Sequence, residues 1–508
     1  MPTDATLAGP QPLEAASELF RRFNNANFRY CHFKSNEHLA AGLLGDTDLD
    51  ILVEQRQHQQ VDLALLQAGF RRFVAGYKYP SVEDYIGFDT NTGRLLHVHL
   101  HFNLVVGEKD VKGYHLGFAE RLLSSREFDP ANGIYVSEPH HELVLLLVRM
   151  ALKLRWRNYL IALFGRPQLR GGAAREFVWL SERTDPARTE AIVADEFGAE
   201  AAAMVRGFTS APPSIWQLRK FRSRAASALA WHRVYTPLES WFVANTRASF
   251  RRLGGLNGRY LHLPLGIRRT HHAGGCVVAL LGMDGAGKST VNAEIRRWLS
   301  WKLDVYPVYF GSGDGSASVL RWPLKIIVGA LRATRIFRRL RGPRAKGAAR
   351  DTLDNERRVT WAIALWSLVL ALEKRTKLKR VHRARSRGMI VICDRFPQIQ
   401  VKGYNDGPLL GPWLRSDSRL RQGLARWEFD IYQQAFRQGP DLVVKLDLPP
   451  KIAAGRKPEM KIEELERRRQ AVQAIHFGKQ CSCVEIDASA PLEHVLLEVK
   501  RAVWEQLQ

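Results

Sequence analysis

Cysteine is scarce in this chain, and its scarcity excludes two classes of small protein. Five cysteines are scattered through 508 residues, and no two have the Cys-x-x-Cys spacing. The sequence therefore predicts neither a disulfide framework nor a zinc finger. The amino terminus has no basic start followed by an apolar stretch, so we expect no secretory signal. Together these absences favour the reducing cytoplasm as the compartment.

Long apolar runs and acidic residues are also in short supply. The longest apolar run, 361–372, is shorter than the roughly 20 residues that a spanning helix needs, so no membrane span is expected. Lysine and arginine together number 76 against 51 aspartates and glutamates, which leaves a net charge of +25. This excess favours phosphates, nucleic acid or anionic lipid as partners and does not decide among them.

The chain is long enough for about three domains, and its patterns change twice. Residues 1–105 combine helical patterns with short strand-like runs, which predicts a small mixed α/β domain. Residues 106–270 carry leucine- and arginine-rich helical patterns, so we expect a helical region that completes the first domain and links it to the next. In residues 271–508, five apolar runs alternate with helical segments, which predicts a parallel sheet with helices on both faces. The expected fold class is α/β.

A phosphate-binding loop is the sharpest motif in the sequence. Residues 282–289 read GMDGAGKS and fit Gly-x-x-x-x-Gly-Lys-Ser/Thr, between a strand-like run and a helical stretch. The glycines let backbone amides approach a phosphate, the lysine bridges phosphates, and the serine can hold Mg²⁺. We therefore expect ATP to bind through Gly282, Gly285, Gly287, Lys288, Ser289 and Thr290.

The segments around this loop resemble the thymidylate kinase family of P-loop kinases. The similar segments are GMDGAGKST, VICDRF, PDLVVKLDLPP and VEIDASAPLEHV, in the family's order over most of residues 276–508. The resemblance implies an ATP- and Mg²⁺-dependent kinase in which Asp394 holds the metal and Arg395 contacts the acceptor or the transferring phosphoryl group. It also implies that Asp284 faces an acceptor sugar and that Arg456, at the start of a lid, closes over ATP.

The segments with which thymidylate kinases read their acceptor are missing. After VYPVYF the chain continues GSGDGSASV, and after CDRF it continues PQIQVKGYNDGPLLG. We therefore expect a kinase for an acceptor other than thymidylate. Divergent kinases of this type resemble proteins of surface polysaccharide assembly, which implies a sugar or glycan acceptor.

A strongly basic segment follows the second strand-like run of this region. Residues 316–350 contain ten lysines or arginines and no acid, with apolar residues at helical spacing between them. One interpretation is a helix that contacts an anionic membrane or a polyanionic glycan through residues 318–350, which would place the protein peripherally at the inner membrane face. The other is a solvated, partly disordered insertion. Nucleic acid is the less favoured partner because no RNA-binding module is recognisable.

An acidic motif marks the amino-terminal domain. The segment GDTDLDILV places Asp48 and Asp50 on one face of a strand, where two carboxylates can hold a divalent metal. With FKSN before it and LLHVHLHFNL after it, the segment resembles nucleotidyltransferase-like domains of the polymerase beta superfamily over about residues 20–110. That family has a third metal-binding acid and a glycine turn, and the matching positions here are His99 and the pair Lys34 and Ser35.

Histidine in place of a carboxylate changes the metal that we expect. Imidazole removes a negative charge and a hard oxygen ligand, which weakens Mg²⁺ binding and favours a softer ion such as zinc or manganese. His97, His99 and His101 alternate along one strand and share a face, so a mixed His and Asp metal site is one interpretation. Ordinary packed histidines and a site for nucleotidyl transfer are the others.

Three functional hypotheses follow from the sequence. In the leading one, the chain is an ATP- and Mg²⁺-dependent kinase whose amino-terminal domain binds, presents or modifies the same substrate. In the second, the amino-terminal domain is a nucleotidyltransferase and the P-loop half regulates it. In the third, the chain is a basic scaffold, bound to membrane or nucleic acid, that uses ATP structurally.

Overall fold

The computed structural model describes residues 11–108, 110–164, 171–208, 211–311, 359–401, 407–478 and 480–507. The chain separates into two units, residues 1–262 and 263–508. Each unit contains both strands and helices, so the expected α/β fold class is confirmed. Within the described ranges, every helix is too short or too polar to cross a lipid bilayer.

The first unit is built on a mixed sheet. Its strands are β1 (Tyr30–His32), β2 (Leu49–Val53), β3 (Arg71–Ala75), β4 (Val82–Phe88), β5 (Leu95–His101), β6 (Leu104–Val106), β7 (Tyr114–Leu116), β8 (Glu127–Asp129) and β9 (Ile134–Val136). Within this unit the sheet runs β3-β4-β5-β2-β1-β9-β8, and β6 pairs with β7. The three strands predicted from YCHFKS, DLDILV and HVHLHF are β1, β2 and β5.

The register of the three central strands brings polar side chains together. β2 and β5 are parallel, with Asp50 opposite His99. β4 and β5 are antiparallel, with Asp84 opposite the same histidine. His99 therefore lies between two carboxylates that come from different neighbouring strands.

Helices cover this sheet and form a second apolar core beside it. Their bounds are Glu14–Asn25, Leu39–Leu43, His58–Gln67, Ala119–Ser124, Pro139–Lys153, Trp156–Leu163, Gly172–Ser181, Pro186–Phe197, Ala199–Val205, Ile215–Arg224, Ala226–Trp231 and Pro237–Leu256. The helix Pro139–Lys153 begins at Glu138, whose side chain accepts a hydrogen bond from the His141 amide. Its leucines and valines are buried in a cluster that includes Phe177 and Phe221.

The second unit is built on a parallel sheet. Its strands are β10 (Arg269–His271), β11 (Val277–Gly282), β12 (Val305–Tyr309), β13 (Ile390–Asp394), β14 (Leu442–Asp447) and β15 (Ser482–Asp487). The last five form one sheet in the order β12-β13-β11-β14-β15, and every neighbouring pair is parallel. All six residues of β11 are buried, because a central parallel strand is covered on both faces.

Helices connect these strands and place the chemistry at one edge. Their bounds are Lys288–Ser300, Trp361–Ser386, Arg419–Gln438, Pro450–Arg456, Ile462–Gln473 and Leu492–Glu505. Because all five strands point the same way, their carboxyl ends meet at a single edge of the sheet, where ligands bind in open α/β folds. The phosphate loop follows β11 at this edge, between the ends of β13 and β14.

Candidate functional site

The phosphate loop has the backbone conformation that its glycines allow. Gly285 and Gly287 have φ angles of +87° and +83°, in the left-handed region that side chains disfavour. Gly287 is the residue that precedes the helix Lys288–Ser300, so the loop leads directly into a helix amino terminus. At Gly282 a Cβ atom would lie 3.0 Å from the Leu446 carbonyl oxygen, so a side chain at this position would crowd β14.

Lys288 lies buried inside this loop. Its Nζ donates hydrogen bonds to the carbonyl oxygens of Gly282, at 2.8 Å, and Met283, at 2.7 Å. Burial, with the nearby Arg395 guanidinium adding to it, lowers the pKa of Lys288 to about 8. The ammonium is therefore bound by two uncharged oxygens in a setting where an anionic phosphate would be a stronger acceptor.

Asp394 ends β13 beside the loop, opposite Leu280 in the sheet register. Its Oδ1 atom is buried and has no hydrogen-bond partner among the described residues. Burial raises the pKa of this carboxyl group, while Lys288 and Arg395 oppose the rise. A buried oxygen without a hydrogen-bond partner, beside a phosphate loop, is the kind of atom that a hard cation would satisfy.

Arg395, the next residue, has a strained backbone. Its φ angle is +65°, which costs a non-glycine residue on the order of 1 kcal/mol. The sheet stabilises this backbone conformation, because the Arg395 amide donates a hydrogen bond to the Leu280 carbonyl oxygen at 3.1 Å. Its guanidinium lies 3.4 Å from Asp284 Oδ1. The turn therefore directs the arginine side chain toward the loop.

Two further arginines lie against the loop, and one of them was not predicted. Arg456 Nη1 donates to the Gly285 carbonyl at 3.1 Å. Arg468, on the helix Ile462–Gln473, forms an ion pair with Asp284. The only signal for Arg468 in the sequence is the run ERRRQ, which also fits a solvated helix face.

The structure gathers the predicted residues of this half around one loop. Lys288, Asp394, Arg395, Arg456 and Asp284 all lie at the carboxyl edge of the sheet. Ser289 and Thr290 are exposed at the start of the helix that follows the loop. The basic segment 318–350 lies outside the described residues.

A second cluster of functional groups lies in the first unit. His97 Nδ1 is 2.8 Å from Asp48 Oδ1, and His99 Nδ1 is 3.3 Å from Asp50 Oδ1. The Nε2 atoms of both histidines face Asp84 Oδ1, at 2.9 and 3.1 Å. Asp48, Asp50 and His99, predicted as metal ligands, are thus brought together. Asp84 was not predicted, because its place depends on the pairing of β4 with β5.

The charged groups of this cluster shift one another's pKa values. Lys34 Nζ lies 2.8 Å from Asp50 Oδ1. Although burial opposes it, this ammonium and the imidazoles of His101 and His99 lower the pKa of Asp50 well below its usual range. Burial works against His99 too, yet the carboxylates of Asp50 and Asp84 raise the pKa of that imidazole. Burial lowers the pKa of His101 to about 3, so this histidine is neutral.

The cluster faces a small cavity. Its volume is about 200 Å³, and its lining includes Asp48, Asp50, Thr47, His32 and Ser35. Ser35 has a φ angle of +60°, in the left-handed region that favours glycine. The cavity is large enough for several water molecules or one small polar group.

A parallel sheet with a glycine-rich phosphate loop after its central strand is the arrangement of P-loop nucleotide-binding domains. No protein-family model matches the chain. It is 29% identical over 230 residues to the "Uncharacterized ATP-binding protein YghR" of Escherichia coli strain K12, over 45% of this chain and 86% of that protein. It is 24% identical over 229 residues to the "Uncharacterized ATP-binding protein YghS" of the same strain, over 45% of this chain and 92% of that protein.

Proposed function

We propose that the chain is an ATP- and Mg²⁺-dependent kinase of the thymidylate kinase-like P-loop class that phosphorylates an acceptor other than thymidylate. One observation carries the proposal: Lys288 of the phosphate loop lies together with three arginines and the half-buried carboxylate of Asp394. The similarity to YghR and YghS, which are named as ATP-binding proteins, supports ATP as the nucleotide.

The arrangement suits phosphoryl transfer because that reaction needs positioning and charge neutralisation rather than a covalent intermediate. The bond between the γ-phosphorus and the β,γ-bridging oxygen of ATP breaks, and a bond to an acceptor oxygen forms. Lys288 would exchange its two carbonyl partners for the β- and γ-phosphate oxygens. Arg395 and Arg468, held over the loop by Asp284, would neutralise charge on the transferring group.

The residues present fit a magnesium ion. The buried Asp394 Oδ1 and the exposed Ser289 hydroxyl are hard oxygen donors next to the loop. When bound with ATP, Mg²⁺ would neutralise charge on the β- and γ-phosphates. Asp394 would hold the ion directly or through its water shell, and Ser289 would complete the protein's share of the ligands.

For the acceptor we propose a sugar or a glycan of surface polysaccharide assembly. The base-reading segments of thymidylate kinases are absent after β12 and after β13, whereas the phosphate-handling residues are present. Asp284 offers a carboxylate in the loop that could accept hydrogen bonds from sugar hydroxyls once Arg395 and Arg468 bind phosphate instead. The acceptor hydroxyl would lose its proton to solvent as the new oxygen–phosphorus bond forms.

A transfer assay tests this proposal. The full chain would be incubated with γ-labelled ATP, Mg²⁺ and a panel of nucleoside monophosphates, free sugars and glycan extracts. We expect label on a sugar or glycan, no transfer by Lys288→Ala, and full activity in Lys379→Ala, which changes an exposed lysine. Phosphorylation of thymidine monophosphate at an ordinary enzyme rate would overturn the acceptor assignment, and absence of ATP binding would overturn the kinase itself.

The two alternative functions from the sequence make different predictions for the same variant. If the first unit is a nucleotidyltransferase regulated by the second, Lys288→Ala would still attach nucleotidyl groups to an acceptor. If the chain is a scaffold that uses ATP structurally, neither labelled phosphoryl nor nucleotidyl groups would be transferred. Using ATP labelled at the α- or the γ-phosphate in parallel separates all three outcomes.

We also propose that the protein is cytoplasmic and contacts an anionic membrane surface peripherally. Besides segment 318–350, the described helix Pro237–Leu256 supports this proposal. It exposes an apolar stripe at helical spacing, in which Leu238 is 80% exposed and Trp241 and Phe242 are each 66% exposed. Arginines adjoin the stripe at positions 252 and 259, and the chain's net charge is +25. Aromatic and leucine side chains beside arginines are typical of helices that lie on anionic lipid.

A further inference from the structure

We propose that the helix Trp156–Leu163 inserts into the interfacial layer of an anionic membrane together with the helix Pro237–Leu256, so that the first unit binds lipid through a two-helix surface. The inference rests on the proposed peripheral membrane contact. It extends that contact to a second helix and to the residues that join the two.

The helix Pro237–Leu256 is attached to its unit by polar side chains rather than by apolar ones. None of its 20 residues, all of which the structure describes, is buried. Arg247 Nη1 donates to the Asp110 carbonyl oxygen at 2.8 Å, and Arg251 Nη2 donates to the Asp110 carboxylate at 2.8 Å. A helix on a protein surface normally packs its apolar face inward. Here the apolar face points outward, which is typical of a surface that binds another apolar phase.

The helix Trp156–Leu163 also exposes large apolar side chains. It is attached to the helical core through Ala162, which is buried, and through Tyr159. The apolar side chains that it leaves exposed are Trp156, Leu160, Ile161, Leu163 and, directly after the helix, Phe164. Trp156 is 68% exposed and Phe164 is 85% exposed. Single exposed hydrophobic residues are normal on a protein surface, whereas five within nine residues form a patch that indicates a binding surface.

Asp110 is the point at which the two helices meet. Arg155, directly before the helix Trp156–Leu163, has its Nη2 atom 4.0 Å from Asp110 Oδ2. Arg251, near the end of the other helix, donates to the same oxygen at 2.8 Å. The Asp110 side chain is buried, so it holds the start of one helix beside the last turns of the other. Their exposed apolar side chains therefore lie on neighbouring parts of one surface.

Charge around these side chains selects lipid as the partner. Residues 155–164 include two arginines and residues 247–261 include four, and neither stretch contains an acid. Arg157, Arg252 and Arg259 are exposed. Aromatic rings prefer the boundary between headgroups and acyl chains, and anionic headgroups attract arginine, so the two features together suit an anionic membrane.

The same arginines disfavour a second copy of the chain as the partner. A two-fold symmetric interface joins identical patches, so it would place these positive charges opposite one another. Like charges facing each other across an interface oppose association. An anionic lipid surface has the opposite charge and therefore meets no such repulsion.

Flotation of the full chain with phosphatidylcholine vesicles, with and without phosphatidylserine, tests the two-helix surface. We expect the wild type to float with the anionic vesicles. The double variant Trp156→Ser and Phe164→Ser should bind them at least about tenfold less well, because two large apolar side chains no longer leave water. Leu63→Ser changes an exposed leucine elsewhere in the same unit and should bind as the wild type does. Equal binding by the double variant and by Leu63→Ser would overturn the role of the helix Trp156–Leu163.

The double variant Trp241→Ser and Phe242→Ser distinguishes failure of this inference from failure of the proposed membrane contact. If it loses lipid binding while the double variant at positions 156 and 164 keeps it, the membrane contact stands and the second helix does not belong to it. If the wild type does not float with anionic vesicles, both proposals are wrong. Lys288→Ala should float normally, so the kinase proposal is tested separately.

Sedimentation velocity without lipid tests self-association as the alternative use of this surface. We expect the wild type and the double variant at positions 156 and 164 to have the same oligomeric state. A wild-type dimer that this double variant dissociates would overturn lipid as the partner.

A fluorophore at position 164 keeps the test decisive if the double variant fails to fold. Phe164→Cys would be labelled with an environment-sensitive dye in a chain whose Cys481 and Cys483, which are not buried, are replaced by serine. We expect brighter, blue-shifted emission when anionic vesicles are added, and no change for the same dye on Leu63→Cys. Unchanged emission at position 164 would overturn the insertion of this helix. Circular dichroism of each variant shows whether it is folded.

Discussion

Arg468 and Asp284 form an ion pair although 184 positions separate them in the chain. Asp284 belongs to the phosphate loop, and Arg468 lies on the helix Ile462–Gln473. The same carboxylate is 3.4 Å from Arg395, at the end of β13. One loop residue thus holds two guanidinium groups, from separate parts of the second unit, over the place where phosphates would bind.

We expect Arg468→Ala to lower phosphoryl transfer about 10- to 100-fold, because a charge-assisted hydrogen bond contributes about 1.5 to 3 kcal/mol. The transfer rate of Arg468→Lys should lie between those of the alanine variant and the wild type, because lysine keeps the positive charge but lacks the planar guanidinium group. Steady-state kinetics with ATP measures both effects. Arg467→Ala changes an exposed neighbour on the same helix and is the matched control. Equal rates in the two alanine variants would contradict a role for Arg468.

Nucleotide affinity should depend on the protonation of Lys288. Burial and the neighbouring Arg395 lower its pKa to about 8, so the free protein loses this ammonium as the pH rises through 8. Bound phosphates favour the charged form, and binding above pH 8 must therefore take up a proton. We expect the dissociation constant of ATP to rise by up to about tenfold per pH unit above 8.

Calorimetry in two buffers of different ionisation enthalpy measures this proton uptake directly. Lys288→Arg should bind ATP with no such pH dependence, because arginine stays charged throughout this range. A wild-type dissociation constant that is constant between pH 7 and 9 would contradict the assignment. The same slope in Lys288→Arg would place the titrating group elsewhere.

Asp394→Asn should separate nucleotide binding from turnover. The substitution keeps the shape of the side chain and removes the charge that would hold Mg²⁺, so we expect turnover to fall at least about 100-fold. ATP binding without Mg²⁺ should stay the same or tighten, since a negative charge beside the phosphates is gone. Asp487→Asn, at the end of the edge strand β15, is the control and should turn over normally. A normal rate for Asp394→Asn would exclude it as the metal ligand.

Removing apolar side chains from the exposed stripe of the helix Pro237–Leu256 should weaken binding to lipid. The double variant Trp241→Ser and Phe242→Ser should sediment with anionic vesicles at least about tenfold less well, because each buried aromatic contributes about 1.5 to 3 kcal/mol. Phe128→Ser removes a 50% exposed aromatic elsewhere in the same unit and should bind as the wild type does. Wild-type binding should weaken with added salt. Equal wild-type binding to neutral vesicles would contradict the charge-based part of this proposal.

The sheet of the second unit could be predicted from the sequence because of where its strands lie. Parallel strands covered on both faces have continuous apolar runs, and the five predicted runs are β11 to β15. Strands of the first unit gave weaker signals. β3 reads RRFVA and β8 reads EFD, and neither alternates or runs apolar for long enough to be recognised. Their identity depends on neighbouring strands that pair with them.

The positions of site residues that belong to a sequence motif could be predicted, whereas the positions of residues that reach the site only through helix packing or strand pairing could not. Lys288 and Asp394 lie in recognisable segments, and the structure places both of them at the phosphate loop. Arg468 is one of three consecutive arginines, and only the packing of its helix decides which one reaches Asp284. Asp84 likewise depends on the antiparallel register of β4, which periodicity alone does not specify.

The two carbonyl contacts of Lys288 have a consequence for how the loop meets its ligand. Because the ammonium donates hydrogen bonds to the carbonyl oxygens of Gly282 and Met283, the loop is already held in shape before any nucleotide binds. When a phosphate binds, the ammonium exchanges these carbonyl oxygens for phosphate oxygens, and little of the chain has to become ordered. Nucleotides should accordingly associate rapidly, and the protein should discriminate between them through their dissociation rates.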